Sequence, residues 1–298
     1  MITLSALAAL AAAHADDLDV PVAPVRIGDR EFPCEGAPLV MGCINLSRDS
    51  TYRESIATST ESAIRKGRVL AEQGADVIDI GSESSTARAS RVEIQQQIDQ
   101  LVPVIQELAA DELLVSAETY EPEVAKACLE AGAQVLNFTG AEHQDAIFEL
   151  AATFKATVVL CQVRGANVRE ISDVDLDADP LPGILEHFEP RVAIAREAGV
   201  DRLILDPGMG FYYGNLTDPT TRVRHQTRVI TNTFRLRRLG LPVCHALPHA
   251  FDLFEDQFRS AEAFFAVLAM LGGTSVLRTH EVARVSAVVR AMRTLDVS

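Results

Sequence analysis

Eight short apolar runs, each followed by a longer segment with helical periodicity, constrain this chain more than any other feature. The runs lie near residues 39–45, 76–80, 113–117, 134–137, 157–161, 202–205, 241–246 and 275–278. The helical segments lie near 56–73, 91–109, 121–131, 143–153, 184–198, 219–239, 258–271 and 281–294. A strand buried on both faces is nearly all apolar, whereas a helix lying on a sheet carries an apolar stripe of period 3.6. Their alternation builds βα units and a parallel sheet. Gly74, Gly132, Gly199, Gly240 and Gly272 stand between a helix and the next strand, where a left-handed cap ends a helix. Eight strands with eight helices is the count of a closed α/β barrel, the TIM (β/α)8 architecture. An open doubly wound sheet is the alternative, disfavoured because no GxGxxG follows the first strand.

The 38–298 barrel is expected to be one unit, since such barrels run to about 250 residues. Ahead of it, residues 1–37 read as an N-terminal helix and a β-hairpin packed on the barrel. Met1 to Ala15 is rich in Ala and Leu, lacks a basic stretch before its apolar part and is too short to cross a bilayer, so an amphipathic helix is expected rather than a signal peptide. Val22 to Ile27, a Gly28-Asp29 turn and Glu31 to Cys34 form the hairpin.

Composition narrows the partners. A net charge of -15 and a pI near 4.9 argue against nucleic acid, which needs a basic footprint. Small molecules are the expected ligands, and an anionic one needs individually placed Arg and His residues against this field. Lysine occurs only at Lys66, Lys126 and Lys155, so none follows residue 155. Five cysteines, widely spaced and without a CxxC pair, suggest free thiols in a reducing compartment. A cytoplasmic protein with no membrane partner is expected.

In a barrel the loops after the strands gather on one face, so residues at strand C-termini form the site. These are Asn45; Asp79 with Ser82 and Glu83; Glu118; Asn137; Cys161 with Gln162 and Arg164; Asp206; His245 with His249; and Arg278 with His280. Asp206 ends an apolar run and is followed by Pro207-Gly208-Met209-Gly210-Phe211. Alone it reads equally well as a ligand-holding carboxylate and as a turn or cap residue. Converging on one mouth, the set has the chemistry to hydrogen-bond a flat heterocycle and to meet an anionic group.

With these residues placed, the chain resembles the dihydropteroate synthase family, within the wider group of pterin-binding barrels, over about residues 38–294. Met41-Gly42-Cys43-Ile44-Asn45-Leu46-Ser47-Arg48-Asp49-Ser50 is similar to MGILNVTPDS, and Gly74 to Ser84 is similar to GADIIDIGGES. Ser116-Ala117-Glu118-Thr119 stands at SVDT, Asn137 at the Asn of NDV, and Gln162-Val163-Arg164-Gly165 at HMRG. Asp206 to Phe211 matches DPGIGF, and Arg278 to Val282 matches RVHDV. The resemblance implies that Glu118, Asn137 and Asp206 hold a pterin ring, with Cys161, Gln162, Phe211 and His249 around it. It implies that Asn45 binds Mg²⁺ and pyrophosphate, that Arg278 and His280 hold the anion, and that an aryl amine attacks the pterin methylene. Members of the family pair through their last helices, so a homodimer is expected; Phe264, Phe265, Val267, Leu268, Val285, Val288 and Val289 supply apolar surface there.

The chain departs from that pattern at four places, one of them the first loop, Thr51 to Ser59, which lacks the family's SDGG stretch. Pro248-His249-Ala250-Phe251 stands where the family has SRKS, which puts Ala250 at the lysine. Ser84-Ser85-Thr86-Ala87-Arg88 stands at STRPG, with Thr86 in register with the arginine, and Glu118 replaces an Asp. Three functions are therefore weighed: a synthase-type transferase joining a pterin methylene to an aryl amine; a different reaction on a pterin-like ligand, such as methyl transfer from a reduced folate; and a non-catalytic pterin-binding homologue. The alternating Asp173, Asp175, Asp177 and Asp179 lack the Gly and terminal Glu of a calcium loop and read as a solvated connection.

Overall fold

A computed structural model describes residues 1–47, 49–50, 52–84, 89–171, 173–174, 176, 178–211 and 213–295. Thr86 and Arg88, and Asp175 and Asp177 of the acidic run, lie outside the described residues. The chain opens with helix α1 (Leu4–Ala13) and a hairpin of β1 (Val25–Ile27) and β2 (Arg30–Phe32). The barrel strands are β3 (Leu39–Asn45), β4 (Val77–Gly81), β5 (Leu114–Thr119), β6 (Val135–Phe138), β7 (Thr157–Cys161), β8 (Leu203–Asp206), β9 (Cys244–Ala246) and β10 (Val276–Thr279). Between and after them run α2 (Thr60–Glu72), α3 (Ile94–Ala110), α4 (Pro122–Glu130), α5 (Gln144–Phe154), α6 (Leu181–Glu197), α7 (Pro219–Thr231), α8 (Phe251–Phe254), α9 (Ala261–Leu271) and α10 (Val282–Thr294).

The eight strands are parallel in the order β8-β7-β6-β5-β4-β3-β10-β9. The ring closes where Leu205 bridges Val243 and its N–H donates to the Pro242 carbonyl at 2.9 Å. This is the expected TIM barrel. Because side chains alternate along a strand, Val40, Ile44, Ile78, Ile80, Val115 and Ala117 face outward. There they pack with Leu70, Leu101, Val104, Ile105 and Leu108 of α2 and α3. Burying a residue of this size stabilises by about 1.5–3 kcal/mol, so the helix layer holds the ring closed. In the interior Met41, Val77, Val135, Val159, Ile204 and Val276 fill the lower layers.

Three boundaries differ from the sequence expectation for a local reason. α2 starts at Thr60, not residue 56, because Ser59 and Ser62 form a reciprocal capping box. The segment expected as one helix over 219–239 stops at Thr231. Thr231, Asn232 and Thr233 turn their side chains back onto carbonyls of the preceding turn, and tight turns over Thr233–Leu239 follow. β9 is only Cys244–Ala246, since Pro242 has no N–H to give to a sheet. Helix α1 forms as expected; none of its residues is fully buried, and Leu7, Leu10 and Ala11 are half-buried along one face. The segment after it is tied to the barrel: Arg238 Nη2 donates to Asp17 at 2.9 Å and Ala23 N–H to the Gly240 carbonyl at 3.0 Å. Among the described residues no helix is long and apolar enough to cross a membrane.

Candidate active site

Alternation carries the apolar interior upward into a polar mouth. Positions sharing the inward face with Met41, Val77, Val135 and Val276 reach Asn45, Asp79, Asn137 and Arg278 near the strand ends. Glu118 sits opposite Asn137, and Cys161 opposite Asp206, in the strand register. The floor of the mouth is an ionic cluster around Arg278. Its Nε donates to Asp79 Oδ2 at 2.7 Å and its Nη2 to Glu118 Oε2. Asp79 is fully buried and also accepts from Ser116 Oγ at 2.6 Å and Asn137 Nδ2 at 3.1 Å. The Cys161 thiol lies 3.4 Å from Asn137 Oδ1, and burial pushes its pKa well up, so it is a neutral weak donor.

Asp206 stands across the mouth from this cluster. The following turn is possible because Gly208 takes φ +74, and a Cβ there would sit 2.5 Å from the Gln162 carbonyl. Gly208 N–H donates to Asp206 Oδ1 at 2.8 Å, which aims the carboxylate. Burial raises the Asp206 pKa to about 6, with the Asp79 charge adding to it and the Gly208 N–H and Arg278 opposing. Burial likewise raises Glu118 to about 7 against the pull of Arg278, with Asp79 and Asp206 contributing. Two carboxylates poised to change protonation near neutrality, within a few residues' reach of an amide, are a mark of a ligand site. Buried Gln162 donates its backbone N–H to the Asp206 carbonyl at 2.7 Å. Met209, Gly210, Phe211, Gln226 and His249 line a small cavity beside this turn. The roomier cavity, about 500 Å³, lies instead on the flank between α7 and the α8–α9 segment, where Val223, Leu253 and Phe264 give it an apolar lining unlike the carboxylate mouth.

The rim of the mouth is built from loops. Ser55 Oγ gives its single proton to the Tyr52 carbonyl at 2.6 Å, so it accepts from Asn45 Nδ2 at 2.5 Å, and this leaves Asn45 Oδ1 as the atom available to a ligand. Tyr52 is buried, donates to Glu281 Oε1 at 2.7 Å, and stacks on His280 with ring centroids 4.7 Å apart. His249 and His280 each place Nδ1 3.0 Å from the same oxygen, Oε1 of Glu262. The other oxygen of Glu262 accepts from Thr279 Oγ1, from His280 N–H at 2.8 Å and from Glu281 N–H at 3.2 Å. Burial lowers the His280 pKa, against the opposing pull of the Glu262 carboxylate.

Of the residues singled out from sequence, Glu118, Asn137, Cys161, Asp206 and Arg278 meet in the floor and wall of the mouth. His249 and His280 pair on the rim, Asn45 ends β3 and is bonded to Ser55 of the first loop, and Phe211 lines the cavity with His249. Arg278 is engaged by two carboxylates, so an anion reaching it would have to share that guanidinium. His245 is a correction: it is fully buried on the outward face of β9, donating or accepting at Thr233 Oγ1 over 2.7 Å, with its pKa pushed down to about 3 by burial. A strand of three residues offers too little alternation to fix which face its histidine takes. Sequence reasoning missed Tyr52 and Glu262. The latter had a signal, a lone carboxylate in the apolar helix Ala261–Leu271. It also missed Arg169, buried, 3.5 Å from Glu83 and donating to the Ser84 carbonyl at 3.0 Å, which anchors the stem of the second loop.

An eight-stranded parallel barrel with carboxylates and an amide converging at the strand ends is the architecture of the pterin-binding barrels. Residues 41–280 match the model of the family described as pterin binding enzyme, and the chain belongs to that family. It is 28% identical over 87% of its length to the dihydropteroate synthase of Synechocystis sp., covering 90% of that protein. It is 32% identical over 92% of its length to the probable bifunctional folylpolyglutamate synthase/dihydropteroate synthase of Halobacterium salinarum, but spans only 33% of that longer chain. Among solved structures it superposes on Xanthomonas albilineans dihydropteroate synthase with 4-aminobenzoic acid, with TM-score 0.76 and 28% identity over 92% of this chain and 98% of that one. The same Xanthomonas enzyme has been solved in complex with 7,8-dihydropteroate.

Proposed function

We propose that this protein is a transferase of the dihydropteroate synthase type, joining the methylene of a pterin pyrophosphate to an aryl amine. The observation that carries the reading is the meeting of Glu118, Asn137 and Asp206 around one polar mouth in a chain of this family. As acceptors, the two carboxylates bind the N–H edge of an aminopyrimidine ring, and the Asn137 amide completes the register. The amine nitrogen bonds to the methylene carbon as the C–O bond to pyrophosphate breaks, its electron pair leaving with the pyrophosphate, and the amine then loses a proton to water. Ionised Glu118 and Asp206 stabilise positive charge that develops on the ring as the leaving group departs. His280 and Arg278 would meet the departing anion. The binding of 4-aminobenzoic acid and of 7,8-dihydropteroate by the Xanthomonas enzyme supports both halves of the reaction.

Mg²⁺ fits as the companion of the pyrophosphate rather than as a resident ion, because the end of β3 offers it one amide oxygen, Asn45 Oδ1, and Mg²⁺ takes its other ligands from phosphate and water. When bound, it neutralises charge on the leaving group. Free thiols and small soluble substrates suit a cytoplasmic setting. Phe264 and Leu271, exposed at 44% and 56%, make α9 the natural contact of a homodimer. The test is release of pyrophosphate on mixing the protein with 6-hydroxymethyl-7,8-dihydropterin pyrophosphate, 4-aminobenzoate and Mg²⁺. Amine-dependent release that Asp206→Ala abolishes supports the reading. Tight pterin binding without release, in folded protein, overturns it in favour of a binding homologue.

A further inference from the structure

The rim cluster does more than its hydrogen bonds require. His249 comes from the β9–α8 loop, Glu262 from α9 and His280 from the end of β10, yet their ligand atoms lie within 4.8 Å of one another. We propose that His249, Glu262 and His280 form a binding site for a divalent transition-metal ion of the Zn²⁺ type. Zn²⁺ bonds of about 2.0–2.1 Å set neighbouring ligand atoms in a tetrahedron about 3.3 Å apart. The two Nδ1 atoms already stand 3.0 Å from Glu262 Oε1, near that spacing, and the ligand atoms, now within 4.8 Å of one another, need to close by no more than about 1.5 Å.

Three features distinguish this cluster from a chance meeting of side chains. Glu262 is fully buried, and its second oxygen is held by Thr279 and by two backbone N–H groups, so Oε1 is presented alone in a fixed direction. Carboxylates bound in this way are the outer-shell pattern of metal sites. Tyr52 lies against both imidazoles, with centroids 4.7 Å from His280 and 4.8 Å from His249, and limits their rotation. The histidine side chains keep 22% and 11% exposure, which leaves an open position for water or for an oxygen of a ligand. Two imidazoles and one carboxylate favour Zn²⁺, Co²⁺ or Ni²⁺ over Mg²⁺ and Ca²⁺, which prefer oxygen. The ion would place positive charge on a rim beside a floor whose guanidinium, that of Arg278, is already engaged by Asp79 and Glu118. Coordination through Nδ1 uses each imidazole as the neutral ring with its proton on Nε2, so a proton held at Nδ1 shifts to Nε2 or leaves to water, and Glu262 binds as the carboxylate.

The site does not depend on the proposed reaction: one-to-one binding of Zn²⁺ without turnover would support the site and count against the transferase. The experiment strips the full-length protein with a chelator and titrates it calorimetrically with ZnCl₂ in excess MgCl₂. A parallel titration with CoCl₂ follows visible absorption. One ion per chain is expected, with the intense visible bands of tetrahedral Co²⁺ and no sulfur charge-transfer band, since no thiol is a ligand. Glu262→Gln and His280→Ala should each weaken binding by at least about tenfold, while His143→Ala, at an exposed histidine, should leave it unchanged. His249→Ala, at the most exposed of the three ligands, guards against misfolding: wild type should melt higher with Zn²⁺, and this variant, folded by circular dichroism, should not. Absence of stoichiometric binding, or binding that survives Glu262→Gln and His280→Ala, would overturn the site and leave a hydrogen-bonded triad.

Discussion

The floor of the mouth and its rim are both charged, buried and close together, but they are held by different means. In the floor, Asp79, Glu118 and Arg278 hang from β4, β5 and β10, strands of one sheet whose spacing is set by the backbone ladder, and each charge meets an opposite charge. On the rim, His249, Glu262, His280 and Tyr52 come from loops and one helix, and the carboxylate at the centre faces two imidazoles through one oxygen. The floor is therefore a structural device that also presents ligand-binding edges. The rim is a device whose state depends on what binds to it.

The largest expected effect follows from the floor. Asp79→Ala leaves a buried guanidinium with half its partners and strips acceptors from Ser116 and Asn137. Breaking such a pair costs about 3–5 kcal/mol. Urea unfolding should show that loss, and a change under about 1 kcal/mol would mean that the ionic floor is not what holds the strand tops together. The same damage on the rim, Glu262→Gln, keeps an acceptor for both backbone N–H groups and should be milder.

Asp206 separates stability from binding on the other wall. Its pKa is raised, from 3.8 to about 6, so the folded state holds the proton more tightly than the unfolded chain does. The ionised carboxylate therefore opposes folding; this penalty grows as pH rises through that interval, is complete above about 6 and absent below the unfolded value. Asp206→Asn should then raise stability by roughly 1–3 kcal/mol at pH 8 and by little at pH 3. It should also weaken pterin binding by about a hundredfold, because a charged acceptor becomes a neutral amide. In wild type, affinity for the pterin should fall as pH drops from 8 to 5, first through Glu118 near 7 and then through Asp206 near 6. Calorimetry across that range checks the sign: affinity rising toward acid would remove the carboxylates from the binding role.

The floor was legible because strands have a period of two. Once the apolar runs are placed, Asp79, Glu118, Asn137, Asp206 and Arg278 fall toward the C-terminal ends of five strands of one sheet without any knowledge of the tertiary structure. Where the run is short the rule loses its phase, and His245 shows this by facing the helices. The rim was largely illegible. His249 and His280 stood out by type, but Glu262 lies on α9, and nothing local says that α9 will carry it between two loops. Tyr52 had still less signal, since its role depends on the first loop folding down onto Glu281. Helix ends failed for a related reason: the break after Thr231 comes from side chains competing for carbonyls, which hydrophobic periodicity does not report.

Tyr52→Phe makes the smallest change and the finest cut between the two regions. It keeps the ring that lies against His249 and His280 and removes only the hydroxyl that donates to Glu281 Oε1 at 2.7 Å. That oxygen stays paired, because Arg259 Nε donates to it at 2.6 Å, so no buried acceptor is stranded. The loss in thermal unfolding should therefore sit near the low end for a buried hydrogen bond, about 0.5–1 kcal/mol. If floor and rim are mechanically separate, pterin affinity changes by less than about twofold, since none of Glu118, Asn137 and Asp206 touches Tyr52. A drop in affinity comparable to that of Asp206→Asn would show that the first loop, clasped to Glu281 through this hydroxyl, positions the ring-binding carboxylates after all, and the two regions would have to be treated as one.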